Sequence, residues 1–138
     1  MKVVYLETSA VLAWLFAEKR SASVPERVDA AEVVVTSSLT LAEAERALVR
    51  AETGGLLRGG DGQRLRGLLE TAAAGWMSME VSQEILRRAA RPFPVEPLRT
   101  LDAIHLATAL AFTMTFADLA VLTFDSRVEK NATALGLG

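Results

Sequence analysis

Four carboxylates occupy positions where chemistry is done in many folds. Glu7 follows at once on the apolar run VVYL (3–6), and Asp125 follows on LAVLTF (119–124). Glu43 and Asp102 each lie early in a helix-forming stretch. Taken singly, each has an ordinary explanation. Asp125 can cap a helix, and Asp102 suits the positive end of a helix dipole. Glu43 can pair with Arg46, and Glu7 can be an irregular helix start. Taken together, in a parallel sheet, all four can point at the same edge. Acids gathered there repel one another and resist ionising. A divalent cation removes the conflict. Mg²⁺ takes oxygen ligands at about 2.0–2.1 Å and retains several waters, so it needs few direct carboxylates. Such a site, with Mn²⁺ as a possible substitute, suits phosphodiester hydrolysis: it polarises the phosphate, activates water and stabilises the leaving oxygen. It also inverts the local charge, which lets an acidic protein hold an acidic substrate.

His105, the only histidine, follows Asp102 by three residues and shares its helix face. A packing and hydrogen-bonding role is preferred to general-base catalysis, because a metal activates water without it. Trp14, Phe16, Trp76 and Met77 are read as core or interface residues, with Leu12, Trp14 and Leu15 as candidates for a partner groove.

The elements that must carry these side chains alternate along the chain. KVVYL (2–6) is a strand, followed by a helix over 8–18 and a helical segment over 21–30. EVVVTS (32–37) is a second buried strand, its β-branched run suited to a sheet interior. Residues 38–53 form an amphipathic helix closing at Gly54-Gly55, and 62–75 form its antiparallel neighbour. WMSMEVS (76–82) is a short strand, and 82–90 a helix capped by Ser82. RPFPVEP (91–97) holds three of the four prolines and is a loop. Thr100 is the expected cap of an apolar helix over 101–114. LAVLTF is the last strand, and 125–136 the last helix, with Ser126 and Glu129 at capping-box spacing. Strand–helix alternation predicts a mostly parallel sheet covered on both faces, in one α/β domain spanning 1–138.

Composition agrees. The chain has 138 residues, 51% of them hydrophobic, and no cysteine, which excludes disulfides and thiolate metal sites. No apolar run approaches the roughly 20 residues that span a bilayer, so a cytoplasmic protein with no membrane association is expected. Net charge is −2, so the surface as a whole does not attract nucleic acid, although Arg outnumbers Lys by 12 to 3. No glycine-rich phosphate loop follows a strand, since RGGDGQ (58–63) joins two helices. A phosphoaspartyl transferase would show paired acids at the first strand, where only Glu7 stands.

Four blocks together resemble the PIN domain, and within it the VapC-type toxins of toxin–antitoxin pairs: VVYLETSAVLAWL (3–15), TSSLTLAEAERAL (36–48), LRTLDAIHLATAL (98–110) and LAVLTFDSRVEKNATALG (119–136). The resemblance implies a Rossmann-like three-layer α/β/α sandwich with a sheet of four to five strands. It further implies Mg²⁺-dependent endoribonuclease activity, a VapB-type antitoxin as partner, and a homodimer. Glu43, Asp102 and Asp125 match the family's second, third and fourth acidic positions. Ser9 matches a hydroxyl residue that helps place metal or water, and Asn131 is a peripheral candidate. Glu7 departs from the family's usual first Asp. Its extra methylene is expected to move the carboxylate outward, and a displacement of about 1 Å can cost about 100-fold in rate. The alternative is therefore a weakened or silent PIN-like module that binds RNA or a protein partner.

Overall fold

Val3–Leu6 forms strand β1, and all four of its side chains are buried. Val3 and Tyr5 enter the core on one face, while Val4 and Leu6 enter it on the other. This period of two with both faces apolar places β1 inside a sheet covered on both sides. The computed structural model, which describes residues 2–138, shows that arrangement. Strands β2 (Val33–Ser37) and β4 (Leu119–Leu122) flank β1, and β3 (Met77–Met79) lies outside β2. All pairings are parallel, with Val3 opposite Val33 and Leu119. The sheet thus has four strands, in the order β3-β2-β1-β4. Beyond β4, the Val121 N–H donates to the Leu137 carbonyl at 2.8 Å, tying the C-terminal residues to that edge.

Helices α1 (Thr8–Leu15), α2 (Ser23–Ala30), α3 (Ser38–Thr53) and α4 (Asp61–Ala73) cover one face, burying Val11, Val24, Ala44 and Leu69 against Val4 and Leu6. Helices α5 (Gln83–Ala89), α6 (Thr100–Phe112) and α7 (Ser126–Ala134) cover the other, burying Ile85, Leu106 and Val128 with Tyr5. The result is the expected three-layer sandwich.

Three local expectations are corrected. The first helix ends at Leu15, not Glu18, because Ala17 turns to φ 51° and breaks the ladder. Arg99, not Thr100, occupies the cap position of α6 and makes no side-chain cap. Asp125, not Ser126, caps α7, accepting from the N–H groups of Arg127 and Val128. Among the described residues no helix is long and apolar enough to cross a membrane.

From β1 the chain proceeds to β2 and β3 on one side and returns to β4 on the other. The crevice where ligands bind in such sheets therefore opens at the carboxyl ends of β1 and β4. Asn131 is not part of it. Its fully buried amide accepts from the Val95 N–H at 2.9 Å and donates to the carbonyls of Val95 and Arg127. It tethers the proline loop to α7, and makes no hydrogen bond to any of the four acids. Asn131→Ala is expected to lower stability by about 1–3 kcal/mol, through loss of these bonds and exposure of their partners, as read by urea denaturation.

Candidate functional site

Glu7 caps α1: its Oε2 accepts from the Ser9 N–H at 3.0 Å. Its Oε1 accepts from the hydroxyls of Ser9 and Thr123, both at 2.5 Å. Glu7 is only 5% exposed, and these donors hold its carboxylate inside rather than displaced outward as the extra methylene led one to expect. The longer side chain instead folds back onto donors that hold it inside. Ser9 also accepts from the Phe124 N–H at 2.8 Å, and Thr123 from the Asp125 N–H at 3.0 Å. The ends of β1 and β4 are thereby stitched together through one carboxylate and two hydroxyls.

Asp102 and Asp125 meet across a guanidinium. Arg99 Nε donates to Asp102 Oδ2 at 3.0 Å, and a terminal nitrogen of Arg99 reaches Asp125 Oδ2 at 3.4 Å. Asp125 Oδ1 is meanwhile spent on the start of α7. The Asp102 side chain is 10% exposed and that of Asp125 25%, whereas Arg99 is 66% exposed. The hydrogen bond with Asp102, then the charges of Asp102, Asp125 and Glu43, push the Arg99 guanidinium further up. Arg99 thus lies in the field of three acids.

Glu43 is not paired with Arg46. It faces inward from α3, and its Oε1 accepts from the Thr8 hydroxyl and from His105 Nε2, each at 2.6 Å. The other imidazole nitrogen meets the Tyr5 hydroxyl at 2.9 Å. His105 is 2% exposed, in keeping with the packing and hydrogen-bonding role read from the sequence. Burial raises the Glu43 carboxyl, but the hydrogen bonds from His105 and Thr8 lead the contributions that outweigh it and hold the group below its ordinary value. Burial pushes the Tyr5 phenol up, so it stays protonated.

The structure therefore brings the four acids to one end of the sheet in three separate settings. As their side chains stand, no three Asp, Glu or His groups among the described residues are spaced to hold one metal ion. The donors are nevertheless oxygen atoms throughout, which fits a hard cation such as Mg²⁺ or Mn²⁺, and a positive group already sits among them in Arg99. Thr8, Thr123, Arg99 and Tyr5 were not singled out by sequence. Arg99 was within reach of notice, three residues before Asp102; Tyr5 lies 100 residues from His105, with no local signal. Trp14 and Trp76 stand apart from the acids, lining an apolar cavity of about 330 Å³ beneath α1, α2 and α4, while Leu15 is core and closed to a partner.

The Glu43 setting has a consequence in acid. Its carboxyl is lower in the folded than in the unfolded chain, so the associated stability is present above about pH 4.5 and is lost as pH falls through the lowered value. Glu43→Gln is expected to flatten the acid limb of the stability-versus-pH curve, leaving its slope at neutral pH unchanged. Urea denaturation from neutral pH into acid checks this.

The same arrangement of elements occurs in known proteins. Residues 4–134 match the PIN domain family. Ribonuclease VapC35 of Mycobacterium tuberculosis is 31% identical over 137 residues, which covers 98% of this chain and 93% of that protein. Among solved structures, M. tuberculosis VapC20, described as a sarcin–ricin loop cleaving toxin, superposes with a TM-score of 0.66 at 16% identity, covering 98% of this chain and 96% of that one. A toxin–antitoxin complex from Klebsiella pneumoniae superposes with a TM-score of 0.60 at 20% identity, covering 96% and 92%. With the sandwich, the strand order and these likenesses in hand, the chain belongs to the PIN-domain family and, within it, to the VapC group.

Proposed function

We propose that the chain is a Mg²⁺-dependent endoribonuclease, with Mn²⁺ as a substitute, acting as the toxin of a toxin–antitoxin pair. Membership of the VapC group supports the nuclease reading. The observation that carries the metal reading is the gathering of Asp102, Asp125 and the field of Glu43 around one cationic group at the carboxyl ends of β1 and β4. When bound, the metal supplies Lewis-acid polarisation of the phosphate and an activated water. Asp102 and Asp125 are the residues to hold it, with Glu43 beside them. Glu7 is a weaker ligand candidate than in the resemblance, because its oxygens already accept three hydrogen bonds. Its task in this reading is to hold Ser9 and Thr123, and so the Asp125 backbone, in place. Arg99 bridges Asp102 and Asp125 and, being exposed, can leave them for solvent or a phosphate. A VapB-type antitoxin and a homodimer complete the proposal, together with a cytoplasmic setting.

A second reading rests on that same Glu7. A carboxylate withdrawn into hydroxyls and replaced by no other acid favours a weakened or silent module that binds RNA or a protein partner. One experiment separates the two. A structured RNA pool is incubated with the purified chain in Mg²⁺, in Mn²⁺ and with EDTA, beside Glu7→Asp and Asp102→Asn. The expected result is cleavage in either metal, none with EDTA, and a loss of about 100-fold or more in Asp102→Asn. Glu7→Asp is expected to cut faster, since Asp still caps a helix while its shorter stem leaves the Thr123 hydroxyl. RNA binding indifferent to EDTA, with no cutting by the native chain or by Glu7→Asp, would instead establish the silent module.

A further inference from the structure

We propose that Tyr5 and His105 form a buried positioning chain that orients Glu43 for the cation, passing a hydrogen bond from the Tyr5 hydroxyl to His105 Nδ1 and another from His105 Nε2–H to Glu43 Oε1. The inference rests on the reading of Glu43 as a residue of the metal site and adds two positioning residues to it.

Donor arithmetic gives the direction. A carboxylate oxygen only accepts, so the imidazole nitrogen 2.6 Å from Glu43 Oε1 carries a proton. In a neutral imidazole the other nitrogen then offers only a lone pair. Its partner at 2.9 Å is the Tyr5 hydroxyl, which must donate. Thr8 completes the set, donating its hydroxyl proton to Glu43 Oε1 at 2.6 Å while its oxygen stands 3.1 Å from Nε2.

Burial makes the chain rigid. Tyr5 is wholly buried in β1 and His105 is 2% exposed in α6. The Tyr5 ring lies edge-on to His105, with centroids 6.1 Å apart, and packs at a tilt against Phe112 at 6.4 Å. A glutamate reaching from a helix has several rotors, and orienting it costs conformational entropy. Here both donors fall on Oε1, and no protein donor among the described residues reaches Oε2. One oxygen is fixed and the other is left for a ligand.

The choice of donor matters as well. The imidazole reaches Glu43 through a single N–H from a buried, packed ring, whereas the guanidinium that lies between Asp102 and Asp125 is exposed. Hydrogen-bond partners behind a metal ligand typically govern affinity by about 10–100-fold, which sets the expected effect.

Because His105 is the only histidine, a ¹⁵N-histidine-labelled chain gives one imidazole, and its two nitrogens report directly which carries the proton. In the native chain Nε2 is expected to be protonated and Nδ1 bare, and Tyr5→Phe is expected to shift the Nδ1 resonance by removing its hydrogen bond while the proton stays on Nε2. Calorimetric titration with Mg²⁺ then compares the native chain with His105→Leu and His105→Gln. His105→Leu should bind about 10–100-fold more weakly, and His105→Gln, whose side-chain amide can still donate to Glu43, should recover most of the loss. A protonated Nδ1 in the native chain overturns the proposal even if His105→Leu fails to fold. A folded His105→Leu with native Mg²⁺ affinity overturns the positioning chain alone, whereas a native chain that binds neither Mg²⁺ nor Mn²⁺ overturns the metal reading beneath it.

Discussion

Negative charge collected at the carboxyl ends of β1 and β4 has to be compensated by something, and the way each acid is compensated shapes everything around it. Glu7 is withdrawn from water and held by one backbone N–H and two hydroxyls. Glu43 is held by a hydroxyl and an imidazole N–H. Asp125 uses one oxygen on the start of α7, and shares Arg99 with Asp102. Buried carboxylates left without such partners would take up protons or unfold the edge of the sheet. Hydroxyl, backbone and imidazole donors hold Glu7 and Glu43, while a guanidinium sits where Asp102 and Asp125 face each other.

These compensations also bind the site to the core. The Tyr5 side chain is at once a member of the apolar cluster with Phe112 and Leu106 and the hydrogen-bond partner of His105 Nδ1. Thr123 follows β4 directly and joins Glu7 to the Asp125 backbone. Repacking beneath α6 is therefore felt at Glu43, and a slip of β4 against β1 is felt at Glu7 and Asp125. The extra methylene at position 7 acts within this frame. It allows the carboxylate to cap α1 and still reach Thr123, at the expense of a free oxygen facing the crevice.

Much of the architecture was legible because it depends on neighbours in the chain. VVYL and VVVTS carry the apolar, β-branched runs of strands buried on both faces, and the segments between them carry helical spacing. Element ends were less legible. Asp125 and Ser126 are both good capping residues, and which one caps α7 depends on where β4 releases the chain. Asn131, only a peripheral candidate in the sequence, has its amide claimed by the proline loop, a contact 36 residues away in sequence.

The sequence by itself determined the α/β alternation and the placing of Glu7, Glu43, Asp102 and Asp125 at or near the starts of helices, which follow from periodicity and capping residues, and four of its blocks carried the family resemblance. Only the tertiary structure decided which partner each acid takes. Glu43 met His105 rather than Arg46, Glu7 turned inward to Thr123, and Arg99 spanned Asp102 and Asp125. The reason is physical: hydrogen-bond partners are chosen by the few ångströms that packing leaves between side chains, and the Tyr5–His105 and Glu7–Thr123 pairs lie 100 and 116 residues apart in a chain whose local pattern carries no record of that distance.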